Sequence, residues 1–183
     1  MAAGPTDELK EEHTLVLMVV EAMEREVTSI QKTGRVHTDR VAQMIDFTRY
    51  FTDGYHHYKE EQVLFPVLEE RSRAAAGQVS VLLSEHDAGR ECVRAVVDNL
   101  PQANEDEAAR KAVEENLGLY AFLLRLHINK EDTVLFPLAD ELLSDQESEI
   151  MAGDFARAEA ESGAGSPERF RALAHSLATP PRE

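Results

Sequence analysis

Apolar side chains recur every three or four positions through the first 143 residues, and the stripes they form break at a few points. The first stripe, Leu9, Val16, Val20, Met23 and Val27, predicts a helix. Thr6 is expected to cap it, Asp7 and Glu8 to favour its positive end, and Gly34 to stop it. A second helix is expected to be capped by Thr38 and to run from about Asp39 to Arg73, with Gly77 as the next break. The third stripe is Val79, Leu82, Leu83, Val93, Val97 and Leu100, ended by Pro101. Asn104 and Glu107 then have the spacing of a capping pair. The fourth stripe, Val113, Leu117, Tyr120, Leu124, Val134, Leu135, Leu138 and Leu142, carries a helix to about Leu143. No stretch alternates with period two, so no strand is expected.

The pattern predicts an all-α chain. Four amphipathic helices with short connections make an up-down-up-down four-helix bundle over residues 1–144. Beyond Ser144 the pattern weakens. Gly163-Ala164-Gly165-Ser166 reads as a flexible break, and a short helix from Ser166-Pro167 should end before Pro180-Pro181. Residues 145–183 thus form a helical tail, an appendage with no readable chemistry.

Composition narrows the partners. A formal charge of −16, from 35 acidic and 19 basic side chains, repels phosphate backbones and anionic lipid, so neither nucleic acid nor a membrane is an expected partner. No apolar run approaches the roughly 20 residues needed to span a bilayer. The start of the chain turns acidic at once, unlike a signal peptide. The single Cys92 can form no internal disulfide and excludes a multi-cysteine metal site, which fits a reducing cytoplasm.

The chemistry lies in an internal repeat. His56-His57-Tyr58-Lys59-Glu60-Glu61-Gln62-Val63-Leu64-Phe65-Pro66 matches His127-Ile128-Asn129-Lys130-Glu131-Asp132-Thr133-Val134-Leu135-Phe136-Pro137. Each half reads His-x3-Glu, which sets an imidazole and a carboxylate on one helix face, one turn apart. Upstream, His13 follows Glu12 and His86 follows Glu85. The chain therefore reads as two helical hairpins, each with a histidine on its first helix and His-x3-Glu on its second. Counting along the helices from each connection returns His13, His56, His86 and His127 to one level of the bundle.

A lone histidine on an apolar face is usually a hydrogen-bonded core residue. Four at one level with two buried carboxylates are different, because burying Glu60 and Glu131 is expensive unless cations compensate them. The second helix is apolar nearly all round, so its stripe does not choose between His56 and His57; the repeat favours His56 with Glu60 over His57 with Glu61. His37 lies about 28 Å from His56 along the axis, and His175 lies in the tail, so both fall outside the site. Tyr55, Tyr58 and Tyr120 are core residues or pocket walls, and Cys92 is core. Imidazole with carboxylate suits iron, manganese or zinc better than calcium or magnesium. Six ligands in two similar halves point to two ions.

His13, the run His56 to Glu61 followed by Leu64-Phe65-Pro66, His86 and His127-x3-Glu131 together resemble the hemerythrin-like cation-binding (HHE) family, over roughly residues 7 to 143. The resemblance implies a non-haem centre of two iron ions with an oxo or hydroxo bridge. It places His13 and His56 on one iron and His86 and His127 on the other, with Glu60 and Glu131 bridging. His57, Glu61, Tyr120 and Arg90 are candidates for the layer around these ligands. The chain departs from the oxygen carriers of this family, which have two histidines four apart on the third helix. Here those positions are Leu82 and Arg90. The site is thus expected to be one histidine short, with more than one open position, which argues against a dedicated oxygen carrier. What the resemblance leaves is reaction with oxygen, peroxide or nitric oxide, as a di-iron oxidoreductase or peroxide-decomposing activity, or an iron- or oxygen-sensing module without catalysis. A purely structural metal bundle makes poor use of six such ligands.

Overall fold

The computed structural model describes residues 4–162 and 167–180; the break expected over residues 163–166 lies outside them. The described residues are all-helical, in six helices with no strand. They are α1 (Pro5–Thr33), α2 (38–71), α3 (Arg73–Asn99), α4 (107–142), α5 (Asp145–Ser162) and α6 (Pro167–Ala178). None of the helices is long and apolar enough to cross a membrane.

Local chemistry sets the helix ends, and several differ from expectation. Gly34 ends α1 in the left-handed region at φ 66°, where a side chain would be strained. At its start α1 is capped by Gly4 with Pro5 in the first turn, not by Thr6. Thr6 is instead buried, its hydroxyl donating to Asp140 at 2.6 Å. The break expected at Gly77 falls at Ser72, whose extended backbone lets its Oγ accept from the Ala75 N–H at the start of α3. Asp106 rather than Asn104 caps α4, accepting from the Ala108 N–H at 2.8 Å. Asn104 is used across the bundle: its amide exchanges two 2.9 Å hydrogen bonds with the backbone of Val36. The connection after α1 is thereby tied to the one before α4.

The apolar stripes meet in two core clusters, one around Val20, Met23, Phe47, Phe51 and Leu117, the other around Leu9, Leu64, Phe65, Phe136 and Phe155. Val97 and Val134, expected on inward stripes, are instead 39% and 44% exposed. The last two helices are packed onto the first four rather than hanging from them. Phe155 of α5 and Phe170 and Leu177 of α6 are fully or almost fully buried. Phe170 meets the rings of Phe47 and Phe51. Arg25 and Arg40 donate to the backbone carbonyls of Leu177, Ala178 and Thr179, groups that a helix end leaves without internal partners.

Candidate metal centre

The two His-x3-Glu segments share a local distortion. Each glutamate opens a five-residue stretch of π-type turns, Glu60–Leu64 and Glu131–Leu135. The prolines that close the repeat, Pro66 and Pro137, explain it. A proline inside a helix has no N–H to donate, and its ring presses on the carbonyl four residues back. Just before each proline, the N–H of Phe65 or Phe136 reaches back five residues to the carbonyl of Glu60 or Glu131. A longer π-type stretch, Thr48–His57, leads into the first segment. Gly54 suits it, because a Cβ there would lie 3.1 Å from the Arg49 carbonyl oxygen. In a regular α-helix successive side chains diverge by about 100°. The wider turn lets consecutive His56 and His57 both point inward, and such turns are frequent at functional sites.

Four histidine Nε2 atoms converge in two pairs. His13 and His56 approach to 3.0 Å, and His86 and His127 to 3.1 Å. Two carboxylates lie across the pairs. Glu60 sets Oε1 3.5 Å from His56 Nε2 and Oε2 3.6 Å from His86 Nε2. Glu131 sets Oε2 3.3 Å from His13 Nε2 and Oε1 3.2 Å from His127 Nε2. Both glutamates are completely buried, and none of their four oxygens has a hydrogen-bond partner.

The outer nitrogen of each of these histidines faces a carboxylate. His13 Nδ1 meets Asp132 at 2.8 Å, His56 Nδ1 meets Glu12 at 2.8 Å, His86 Nδ1 meets Glu61 at 2.7 Å, and His127 Nδ1 meets Glu85 at 3.0 Å. A carboxylate there favours the proton on Nδ1, which in a neutral ring leaves Nε2 as the acceptor. Cations back three of the four: Lys59 on Glu12, Lys130 on Glu85, and Arg90 on Glu61 at 2.6 Å. The centre is therefore lined by imidazole nitrogens and carboxylate oxygens that hold only shared protons between them. Such a group of acceptors is stable only around protons or cations. Its histidine and glutamate atoms fall into two sets, each with all members within 4.8 Å of one another, and that convergence is what a metal ion requires.

The charges without metal show the same need. Burial and the nearby Glu131 push the Glu60 carboxyl well above the ordinary range. Burial acts the same way on Glu131, but His127 and His13 outweigh it and keep that carboxylate ionised. Burial also works to lower His127, yet Glu131 and Glu85 pull it up to about 9. His56 and His57 are driven well below the ordinary imidazole range by burial and by their neighbours His13 and His86. Metal binding would displace the protons now shared among these groups.

The other expected residues are distributed as follows. Glu61 and Arg90 stand behind His86. Tyr120 lines a cavity of about 350 Å³ between α2, α3 and α4, together with Arg49, Asp53, His57, His86, Gly89 and His127. Tyr55 lies away from the histidines, donating to Glu159 and packing under Lys59, whose Nζ sits 4.4 Å from its ring. Tyr58 lines a separate groove. Cys92 is a buried core thiol, His37 pairs with Glu26, and His175 is exposed. His57 is at the centre itself: it belongs to the cluster of Glu60, His86 and His127, and its Nε2 is buried without a partner. The apolar pattern and the His-x3-Glu spacing do not single out the carboxylates behind the histidines, although Glu12 and Glu85 each immediately precede a histidine in the repeat.

A model of the hemerythrin HHE cation-binding domain matches residues 4–139. The chain belongs to this family. The chain is 26% identical over 150 residues to an uncharacterized protein of Mycobacterium tuberculosis, a match covering 81% of this chain and 58% of that protein. It is 35% identical over 117 residues to the iron-sulfur cluster repair protein YtfE of Salmonella newport, a match covering 59% of this chain and 53% of that protein. The chain thus spans little more than half the length of these relatives. Hemerythrin HHE domains bind cations, and the clustered imidazoles and carboxylates described above fit that property.

Proposed function

We propose that the chain is a cytoplasmic non-haem di-iron protein whose centre reacts with oxygen, peroxide or nitric oxide. In this reading α1 to α4 form an up-down-up-down four-helix bundle, and residues 145–183 are a tail added to it. His13 and His56 hold one iron, His86 and His127 the other, and Glu60 and Glu131 bridge them. The observation that carries the reading is the way each glutamate offers one oxygen to each histidine pair, with all four oxygens otherwise unpartnered. Two separate acceptor sets joined by two carboxylates match two ions better than one. Imidazole with carboxylate suits iron, manganese or zinc, and a relative named for iron-sulfur cluster repair supports iron among them.

Iron bound here supplies the redox chemistry toward small oxidants. The protein's part is to hold, orient and shield. The carboxylate behind each histidine fixes its ring. Phe136 stacks on His13 and Phe65 on His86, keeping water from the flanks of the site. The 350 Å³ cavity gives small ligands an approach to the His86 and His127 side.

The second reading is a sensing or oxygen-binding module without catalysis. It is favoured by a chain of contacts from centre to tail: His56 to Glu12, Glu12 to Lys59, and Lys59 to Glu159 of α5 at 3.2 Å. The test loads the protein with iron anaerobically, measures metal, and mixes the reduced form separately with oxygen, peroxide and nitric oxide in a stopped-flow spectrometer. Two irons per chain with oxidation or peroxide turnover are expected. One ion per chain, or zinc alone after iron-replete expression, would overturn the di-iron reading. A coloured oxygen adduct that forms and reverses without peroxide turnover would select the second reading.

A further inference from the structure

We propose that His57 is a fifth nitrogen donor, serving the ion held by His86 and His127, and that it is the donor an incoming ligand displaces. The inference rests on the di-iron reading above. His57 is buried, and its Nε2 is the only imidazole nitrogen among the described residues that is buried without a partner. A ring nitrogen of His57 lies within 4.8 Å of ligand atoms from Glu60, His86 and His127. The Nδ1 of His57 repeats the pattern of the four histidines already described, for it faces Asp53 and Asp53 is held by Arg90. Arg90 also holds Glu61 behind His86, so one guanidinium braces two histidines of the same cluster. A histidine kept only for packing needs neither a carboxylate behind it nor an unpartnered buried nitrogen beside two other imidazoles.

The bond to Asp53, at 3.4 Å, is longer than the contact that each of the other four histidines makes with the carboxylate behind it. The His57 ring also lies nearly parallel to that of His86, 12° apart with centroids 3.7 Å apart. Parallel rings cannot both aim a lone pair squarely at one ion, so binding requires the His57 ring to tilt, and the long Asp53 contact leaves room for that. The result is a weaker donor than its neighbours. It lies on the wall of the 350 Å³ cavity together with His86 and His127, within reach of a ligand arriving from that side. The repeat sharpens the point. The position matching His57 in the second half is Ile128, a core residue, so only one ion gains a fifth histidine. The two ions are then unequal, three nitrogens against two, although the third helix lacks the extra histidine of the oxygen carriers.

The test compares the wild-type chain with His57→Phe, which keeps a ring for stacking but removes the nitrogen. Both are titrated anaerobically with cobalt(II), whose visible bands report coordination number, and bound metal is measured. Azide is then added. In the wild type, two cobalt ions with distinguishable bands are expected. In the variant, one ion should weaken by at least about 10-fold, the size of effect seen for residues merely supporting a ligand, or be lost, while the other keeps its band. Where the variant retains both ions, azide should bind it more tightly. Asp53→Asn should move the same band by less. Far-UV circular dichroism checks the fold, and His57→Gln replaces His57→Phe if the latter unfolds. Superimposable titrations of wild type and variant would overturn the assignment. Fewer than two ions in the wild type would instead count against the di-iron reading.

Discussion

Replacing Glu60 with leucine should stabilise the metal-free protein while abolishing its response to iron. Glu60 is completely buried, and neither carboxyl oxygen has a hydrogen-bond partner. Its nearest imidazole nitrogens stand 3.5 and 3.6 Å away, longer than those around Glu131. Leaving a buried polar atom unpaired costs about 1–3 kcal/mol, so two cost about 2–6 kcal/mol in the absence of metal. Leucine keeps branched bulk and adds no atom that needs a partner. A chain of this size shifts its melting point by about 2–4 °C per kcal/mol, so Glu60→Leu should raise the metal-free midpoint by at least about 4 °C. The assay is thermal unfolding by circular dichroism, with and without iron, alongside metal analysis. Iron binding to the folded wild type adds stability through mass action. The expected order is metal-free wild type lowest, Glu60→Leu above it and unaffected by iron, and iron-loaded wild type shifted up from its own metal-free form. A metal-free Glu60→Leu protein that melts below the metal-free wild type would refute the reasoning, because it would mean that the carboxyl is satisfied without a cation.

Three further outcomes follow from the same geometry. His13→Ala, His56→Ala, His86→Ala and His127→Ala should each lose metal, whereas His37→Ala and His175→Ala should retain it; metal analysis after desalting decides, and equal content in all six would overturn the ligand set. Glu12→Gln and Glu85→Gln should each weaken metal affinity by about 10–100-fold with helix content unchanged, read by competition with a chelator. Phe155→Ala should cost about 3–5 kcal/mol in thermal unfolding, because its fully buried ring ties α5 to the core; a negligible loss would mean that α5 is not held as described.

The parts of the centre carried by the repeat are legible in the sequence. His13, His56, His86, His127, Glu60 and Glu131 follow from two matching segments and equal helix counts, and the fold brings all six together. His57 is legible only as an alternative to His56 or a neighbour of the ligands, because a period of 3.6 residues does not turn two adjacent side chains to one centre. The π-type turns that do so are a backbone adjustment around Gly54 and Pro66 that periodicity does not register. Glycine is a strong stop signal, which makes Gly77 the expected helix break, yet Ser72 in an extended conformation with its own capping hydroxyl ends α2 earlier. The tail is hard to read for a different reason: α5 and α6 are anchored by a few large side chains such as Phe155, Phe170 and Leu177 rather than by a continuous stripe.

Departures from the repeat, more than the repeat itself, decide where a ligand enters. Two equivalent hairpins would give two equivalent ions. Lys59 and Lys130 occupy matching positions and back the matching residues Glu12 and Glu85, but their surroundings differ. The Lys59 side chain is completely buried and also bonded to Glu8 and to Glu159 of α5, whereas that of Lys130 is 32% exposed. The tail thus closes the outer flank of the His56 half. On the opposite side Gly89 brings α3 close to Tyr120, at a distance where a Cβ would press the ring at 3.2 Å, and the cavity beside them reaches His57, His86 and His127. Neither His13 nor His56 lines that cavity. On the proposed di-iron reading, a ligand arriving through it would meet the ion held by His86 and His127, on the side where His57 would add a nitrogen that Ile128 cannot match.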